Sequence, residues 1–449
     1  MLSIKTKKIL GLSLPIIGGM MSQNILNLVD TLMIGQLGAV ALAAAGIGGF
    51  LFFVSFSPFT GVQNAVQTMV ARYKGEQREQ FYDLPYFMGM GLTIVLGIIA
   101  TILIYLNVPF LVGFFSTDQQ LLDIAAQYFE YRILGLPFLC LCLVVRGFFN
   151  GMSQPMRYLR VIIVIHGLNI VLNYGLIYGK LGCPQMGAAG AGLASSISVV
   201  LGALLYMLDC SKLVRFSRFR QHSLAILKQN LSWMARLSLP IAIQQFLFAL
   251  GVSGFYWILS CLGTAAIAIG NVLINIVLVG ILPGVGLGMA TMSLVSESLG
   301  YKHNKEAFLW PFHVTKVAIV LLGPLFLLAI LFPQWLIRPF ISDPVIAKQA
   351  VWPLRLDCIG VFIEVGTLIF MNALIGADKT NLVMWVTIIC QWVIYLPLAY
   401  FVGITLEVGM VGVWAMWIVF QALQVACFAG YWLKYSSTTV NYPSSKTVI

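Results

Sequence analysis

A chain of 449 residues with 60% hydrophobic and only 9% charged side chains cannot coat a globule of its size with water-facing charge, which excludes a soluble protein. The formal net charge of +11 does not point to nucleic acid, because the basic residues sit in breaks between apolar runs. Eight cysteines form no CxxC pair or His-spaced set. Cys140, Cys142, Cys358, Cys390 and Cys427 fall inside apolar runs and read as small buried hydrophobes.

In chain order, apolar windows separated by polar or Gly/Pro breaks predict twelve membrane spans, at 9–34, 42–72, 84–106, 121–150, 157–179, 187–209, 231–260, 267–298, 311–332, 346–375, 381–403 and 409–434. The first window is long enough to span and leads straight into more spans, so it is not read as a cleavable signal. Within it Asp30 is the only ionisable side chain. A carboxylate inside a bilayer-length helix is costly and faces a cavity or a partner. It also lies near the helix C-terminus, where the dipole disfavours negative charge, so a cation, a proton or amide donors must compensate.

The basic residues orient the spans. Lys5, Lys7 and Lys8 at the N-terminus, Arg72, Lys74 and Arg78 after span two, and Arg146, Arg157 and Arg160 after span four lie on one side. The sixth loop (Lys212, Arg215, Arg218, Arg220, Lys228, Arg236), the eighth (Lys302, Lys305, Lys316), and Lys379, Lys434 and Lys446 share that side. Opposite them stand only Lys180, Arg338 and Lys348. Both termini are therefore expected in the cytoplasm, with Asp30 near the outer end of its helix and the chain in the cell (inner) membrane.

The basic sixth loop separates two halves that repeat. Residues 12–75 align without a gap with 237–300 at an offset of 225. LSLPI recurs at 12–16 and 237–241, Leu37-Gly38 as Leu262-Gly263, and Pro58, Gly61, Ala65 and Gly75 recur as Pro283, Gly286, Ala290 and Gly300. Each half has six spans, so the halves are parallel repeats about an axis along the membrane normal, the plan of rocking transporters. The expected domains are an N-terminal lobe (1–210), a basic linker (211–230), a C-terminal lobe (231–435) and a cytoplasmic tail (436–449).

The repeat also shows where the halves differ. Asp30 pairs with Phe255, while Asn169 and Asn173 of span five pair with Ile394 and Leu398. The two asparagines are four apart, so they share one helical face, and amides in lipid seek partners. The second half has its own acid, Glu364 on span ten, opposite Leu139. Arg132 and Arg355, at similar ends of spans four and ten, read as interface anchors or interhelical partners, and His166 as a satisfied buried histidine.

These residues bring a resemblance. LVDTLMIGQLG with Asp30, NIVLNYGLIYG at 169–179, GAAGAGLASSIS at 187–198, LSLPIAIQQ and LIGADKT, in this order in a twelve-span repeat, resemble the multidrug and toxic compound extrusion (MATE) family of cation-coupled efflux transporters. The resemblance covers essentially the whole chain. It implies an all-α membrane protein whose two six-helix lobes form a V, with Pro15 as the bend of the first helix and Asp30 as its coupling carboxylate. It implies an ion-coupling site of Asp30, Asn169, Asn173 and Ser195, the same four residues that a sodium ion would use. In many relatives a second Asp occupies the position of Asn173. Phe248 stands where NorM-type relatives carry Glu, and Glu364 matches their span-ten acid, so the pattern is mixed and closer to the DinF-like branch.

The expected activity is antiport. One carboxylate holds either a proton or an organic cation, and that exclusion couples export to proton entry. A single fixed charge makes a weak sodium site, so proton coupling is favoured over sodium. The expected substrates are amphipathic cations, met by adaptable surface at Met20, Gln23, Gln245, Phe248, Tyr256 and Trp257. No cofactor is implied beyond the coupling ion, and the chain is expected to act as a monomer in the bilayer. A lipid-linked oligosaccharide flippase is the rival reading; it would need a strongly cationic cavity for pyrophosphate. A membrane enzyme would need paired acidic motifs, HExxH or a nucleophile with its base, and the sequence carries no such set.

Overall fold

The computed structural model describes residues 3–341 and 343–440, with side chains described as far as residue 434. The end of the expected tail, including Lys446, lies outside the described residues. The described chain is helical, without strands. Eleven helices are long and apolar enough to cross a membrane, and a bent pair, Gln119–Ile133 with Leu136–Gly151, supplies the twelfth crossing. The architecture is an all-α, twelve-span membrane protein. Helices overrun the apolar windows because their polar ends stay helical beyond hydrocarbon: the first is Ile4–Gly35 and the seventh Leu224–Cys261. Of the five cysteines read as buried, Cys427 is exposed, on the lipid-facing side of an apolar helix.

Proline alone does not decide where a span breaks. The second span is Ala39–Phe56, a tight turn at Ser57–Phe59 around Pro58, then Thr60–Gly75. Its repeat mate, Thr264–Gly300, carries Pro283 without interruption. The difference lies in hydroxyls. Ser57 Oγ donates to the Val54 carbonyl (3.1 Å) and Thr60 Oγ1 to the Ser57 carbonyl (2.6 Å), replacing the bonds the proline removes. The mates of those two residues are Leu282 and Val285, which have no hydroxyl. The fourth span bends by 49° where Pro137 opens its second helix. Its mate Pro344–Gly376 has Phe362 at that position and runs on unbroken.

Other features recur at the same offset. Gly38 and Gly263 precede the second and eighth spans with φ of 110° and 104°, a left-handed region in which a side chain is strained. Asp118 and Asp343 cap the helices behind them through backbone N–H groups, to Gln120 at 3.0 Å and Val345 at 2.8 Å. Gly151 lies so close to span two that a Cβ would meet the Gln67 carbonyl oxygen at 2.7 Å; Gly376 meets the Met292 carbonyl oxygen at 2.6 Å in the same way. Gln67 and Met292 are themselves repeat mates.

The described residues form two compact units. One comprises the described residues within 1–17, 75–77 and 250–440, the other 18–74 and 78–249. The first span is thus divided near Pro15, and the seventh past Pro240. In the first unit Lys8 pairs with buried Glu297 (3.5 Å), Lys5 and Lys8 lie over the Trp310 ring, and Gly286 leaves room for Ile17. In the second, Gly61 leaves room for Ser238 and Ala242, and the Tyr73 hydroxyl donates to Asn230. Gly61 with Ala242 repeats Gly286 with Ile17 at the offset of 225. Small residues let helix backbones approach where lipid gives no hydrophobic drive.

Candidate ion and substrate site

Span five, Pro155–Tyr178, packs against the second half of the first span, within one unit. Its polar side chains recur at spacings of three and four, so His166, Asn169 and Asn173 line a single stripe. Asn173 is fully buried, and its Nδ2 donates both to Asp30 Oδ1 (2.6 Å) and to Asn169 Oδ1 (3.0 Å). Asn169 Nδ2 reaches Ser195 Oγ on span six at 3.5 Å. The structure therefore joins Asp30, Asn169, Asn173 and Ser195 in one chain of polar contacts. Asn173 Oδ1 is buried with no hydrogen-bond partner among the described residues.

The stripe continues two turns further. His166 Nε2 meets Gln23 Oε1 (3.1 Å), Nδ1 meets Ser22 Oγ (2.7 Å), and Gln23 Nε2 donates to Asn27 Oδ1 (3.2 Å). Since an amide oxygen only accepts, Nε2 carries the proton and Ser22 donates to Nδ1 in the neutral ring. His166 is satisfied, as its sequence setting indicated, and it ties the first span to the fifth just beyond Pro15.

A cavity of about 330 Å³ opens along this stripe. Gln23, Asp30, His166, Asn169 and Ser195 line it, opposite Phe52, Phe53 and Phe56. Arg132 and Arg146 line it too. Of the two readings of Arg132, the interhelical partner holds: it interacts electrostatically with Asp30 on span one, lies over the Phe52 ring of span two at 4.9 Å and donates to the Tyr128 hydroxyl. The repeat carried the signal for it. At the offset of 225 Arg132 pairs with Asp357, not Arg355, so the two halves carry opposite charges at one position. Of the residues assigned to a substrate surface, only Gln23 lines this cavity. Met20, Gln245 and Phe248 are half-buried elsewhere. Tyr256 donates to Asn271 (2.8 Å), and exposed Trp257 stacks on Tyr400 (5.5 Å between centroids).

The other unit holds a second buried acidic group. Asp357 and Glu364 are seven residues apart on span ten, about 10 Å along one helix face. Asp357 accepts from the Trp414 indole, whereas Glu364 Oε2 has no partner among the described residues. The Tyr395 hydroxyl interacts with Asp357 electrostatically and lies at the end of a π-helical stretch, Ile389–Tyr395, in span eleven. Such wide turns recur at functional sites.

A twelve-span chain of two parallel repeats, with a carboxylate–amide cluster lining a cavity in one unit, defines a multi-pass membrane transporter. The MatE family model matches residues 15–175 and 240–401, two segments that begin at the repeat mates Pro15 and Pro240. The chain belongs to the MatE family, and it is a transporter rather than an enzyme. It is similar to the probable multidrug resistance protein NorM of Mannheimia succiniciproducens, with 27% identity over 445 residues covering 96% of this chain and 94% of that protein. It is likewise similar to the multidrug resistance protein NorM of Burkholderia vietnamiensis, 27% identical over 420 residues, covering 90% and 88%. Its fold matches an outward-facing multidrug resistance MATE family transporter of the MOP superfamily with a TM-score of 0.88 at 21% identity, covering 98% and 97%. It also matches a MOP superfamily transporter from Pyrococcus furiosus with a TM-score of 0.87 at 20% identity, covering 97% of both chains.

Proposed function

We propose that this multidrug efflux transporter is an antiporter of the cell membrane that exchanges protons for amphipathic organic cations, with Asp30 as the coupling group. The observation that carries this reading is the engagement of Asp30 by the Asn173 amide at 2.6 Å beside the Arg132 guanidinium. A sodium ion at Asp30 would sit against a positive charge and an N–H donor. A proton needs no ligand cage. Sodium keeps support from the oxygens of Asn169 and Ser195 and from the partnerless Oδ1 of Asn173, and it is the rival coupling ion.

In this mechanism ionised Asp30 is held by Arg132 and Asn173. A proton arriving from outside removes its charge, and with it the attraction to Arg132 and most of the strength of a charge-assisted hydrogen bond. Residues 18–35 then repack on span five. Because residues 1–17 of the same helix belong to the other unit, that repacking is passed on at Pro15. An organic cation uses the same carboxylate, so cation and proton exclude each other.

Two guanidiniums against one carboxylate in the cavity favour a second reading, transport of an anionic lipid-linked cargo. Efflux by purified protein in liposomes under separate proton and sodium gradients tests both. A proton gradient should drive export of a cationic dye, and Asp30→Asn should abolish it at unchanged expression. Sodium-driven export at fixed pH would overturn proton coupling. Translocation of a lipid diphosphate without dye export would establish the flippase.

A further inference from the structure

A cavity of about 940 Å³ lies in the other unit, and its lining includes none of Asp30, Asp357 and Glu364. Its walls are the eighth span, the end of the ninth span (Asn304–Leu331), the short helix Pro333–Ile337 and the start of the tenth. The lining is mainly apolar, and its volume lies at the upper end of the range for ligand sites. Gly280 keeps one wall thin, since a Cβ there would collide with the Phe326 ring.

Two cations line the same cavity, Arg338 and Arg355. Neither forms an ion pair with a carboxylate among the described residues. Arg355 is half-buried; its Nε donates to the Ile330 carbonyl at 3.1 Å, and its guanidinium lies 5.0 Å from the Trp352 ring centroid. These contacts orient the guanidinium and leave its Nη donors without a protein acceptor among the described residues. A cation so placed in a membrane helix is costly unless an anion answers it. Phosphate is the group that a guanidinium fork matches in two parallel hydrogen bonds. The level along the helix is also informative. Trp335 is 81% exposed and Trp352 59%, and exposed tryptophans mark the headgroup zone of a bilayer.

We propose that this groove is a site for an anionic phospholipid, with the phosphate held by Arg338 and Arg355 and one acyl chain along the apolar wall. Charge complementarity and the headgroup level of the arginines select a lipid over a soluble phosphate or a cationic drug. The eighth and tenth spans flank the site, and the tenth carries the second acidic pair, so occupancy would stiffen the packing around that pair.

Purified protein is delipidated, mixed with vesicles of phosphatidylcholine with or without phosphatidylglycerol, and followed by native mass spectrometry and thermal melting. Wild type should retain one phosphatidylglycerol and melt higher with it than with phosphatidylcholine alone. Arg338→Ala, at an exposed position, should weaken retention about tenfold, the loss of about one strong hydrogen bond. Arg355→Lys should keep the charge but lose the fork and weaken retention as well. Equal retention by wild type and both variants, or equal stabilisation by phosphatidylcholine, overturns the proposal. Melting without lipid separates either result from misfolding.

Discussion

Replacing Asn173 by Asp tests the proposed ion site at its most sensitive point. The asparagine is fully buried and places its Nδ2 2.6 Å from Asp30 Oδ1. A carboxylate there sets two like charges at about that distance. At an effective dielectric constant near 20, the repulsion is about 6 kcal/mol. Arg132 offsets part of it for one charge only, so the pair must take up an additional cation to persist. The variant also turns a donor facing Asp30 into an acceptor, which is what a sodium ion requires. Asn173→Asp should therefore export more than wild type under a sodium gradient at fixed pH. Dye efflux from liposomes, with protein quantity and melting temperature matched, reads this directly. A variant that behaves like wild type under both gradients would show that Asn173 is outside the shell of the coupling ion and refute the reasoning.

Gly151→Ala and Gly376→Ala should each cost about 1–3 kcal/mol, because the added methyl meets a carbonyl oxygen at 2.7 or 2.6 Å; a wild-type melting curve for either would contradict the packing. His166→Ala removes bonds to Ser22 and Gln23 and should lower stability by about 1–2 kcal/mol and slow efflux, with His166→Gln intermediate; equal effects of the two would deny the histidine its bracket. Pro15→Ala restores an internal helix bond and should raise the melting temperature while reducing turnover, and unchanged turnover would exclude a bend there. Glu364→Gln should melt higher, since an amide replaces a half-buried carboxyl whose Oε2 has no partner among the described residues, yet export less; full export would make that acid structural.

The spans were legible because lipid imposes a composition on twenty successive residues, and no tertiary contact overrides it. The Asp30 cluster was legible for a related reason. Asn169 and Asn173 are four apart, and a half-buried carboxylate facing two buried amides on a neighbouring helix has little choice but to meet them. Arg132 was harder, since its side chain chooses between a headgroup and a cavity, and nothing local decides. Comparing it with Arg355 hid the sharper fact that its repeat mate is Asp357. The break at Pro58 and its absence at Pro283 show the same limit: the proline is common to both, and hydroxyls two residues on and one residue back decide. The division of the first helix between two units rests on Gly286 admitting Ile17, a contact across some 270 residues of sequence that no periodicity reveals.

The inverted charge at the repeat position suggests why one fold keeps two dissimilar acidic sites. In one unit the acid sits on the first span and the cation on the fourth, as Asp30 and Arg132. In the other the first-repeat position is Phe255, packed on Trp414 at 5.7 Å, and the acid has moved to Asp357, which accepts from that same Trp414. Only Asp30 is therefore carried by a helix that both units share and that a proline can bend. Asp357 and Glu364 lie on the unbroken span ten, wholly inside one unit. A change of charge at Asp30 acts on a helix divided between the two units, whereas a change at Glu364 acts first on packing within its own unit. On this argument the two acids are not interchangeable: moving the carboxylate from position 30 to 255 should leave an uncoupled protein even if it folds and binds cations.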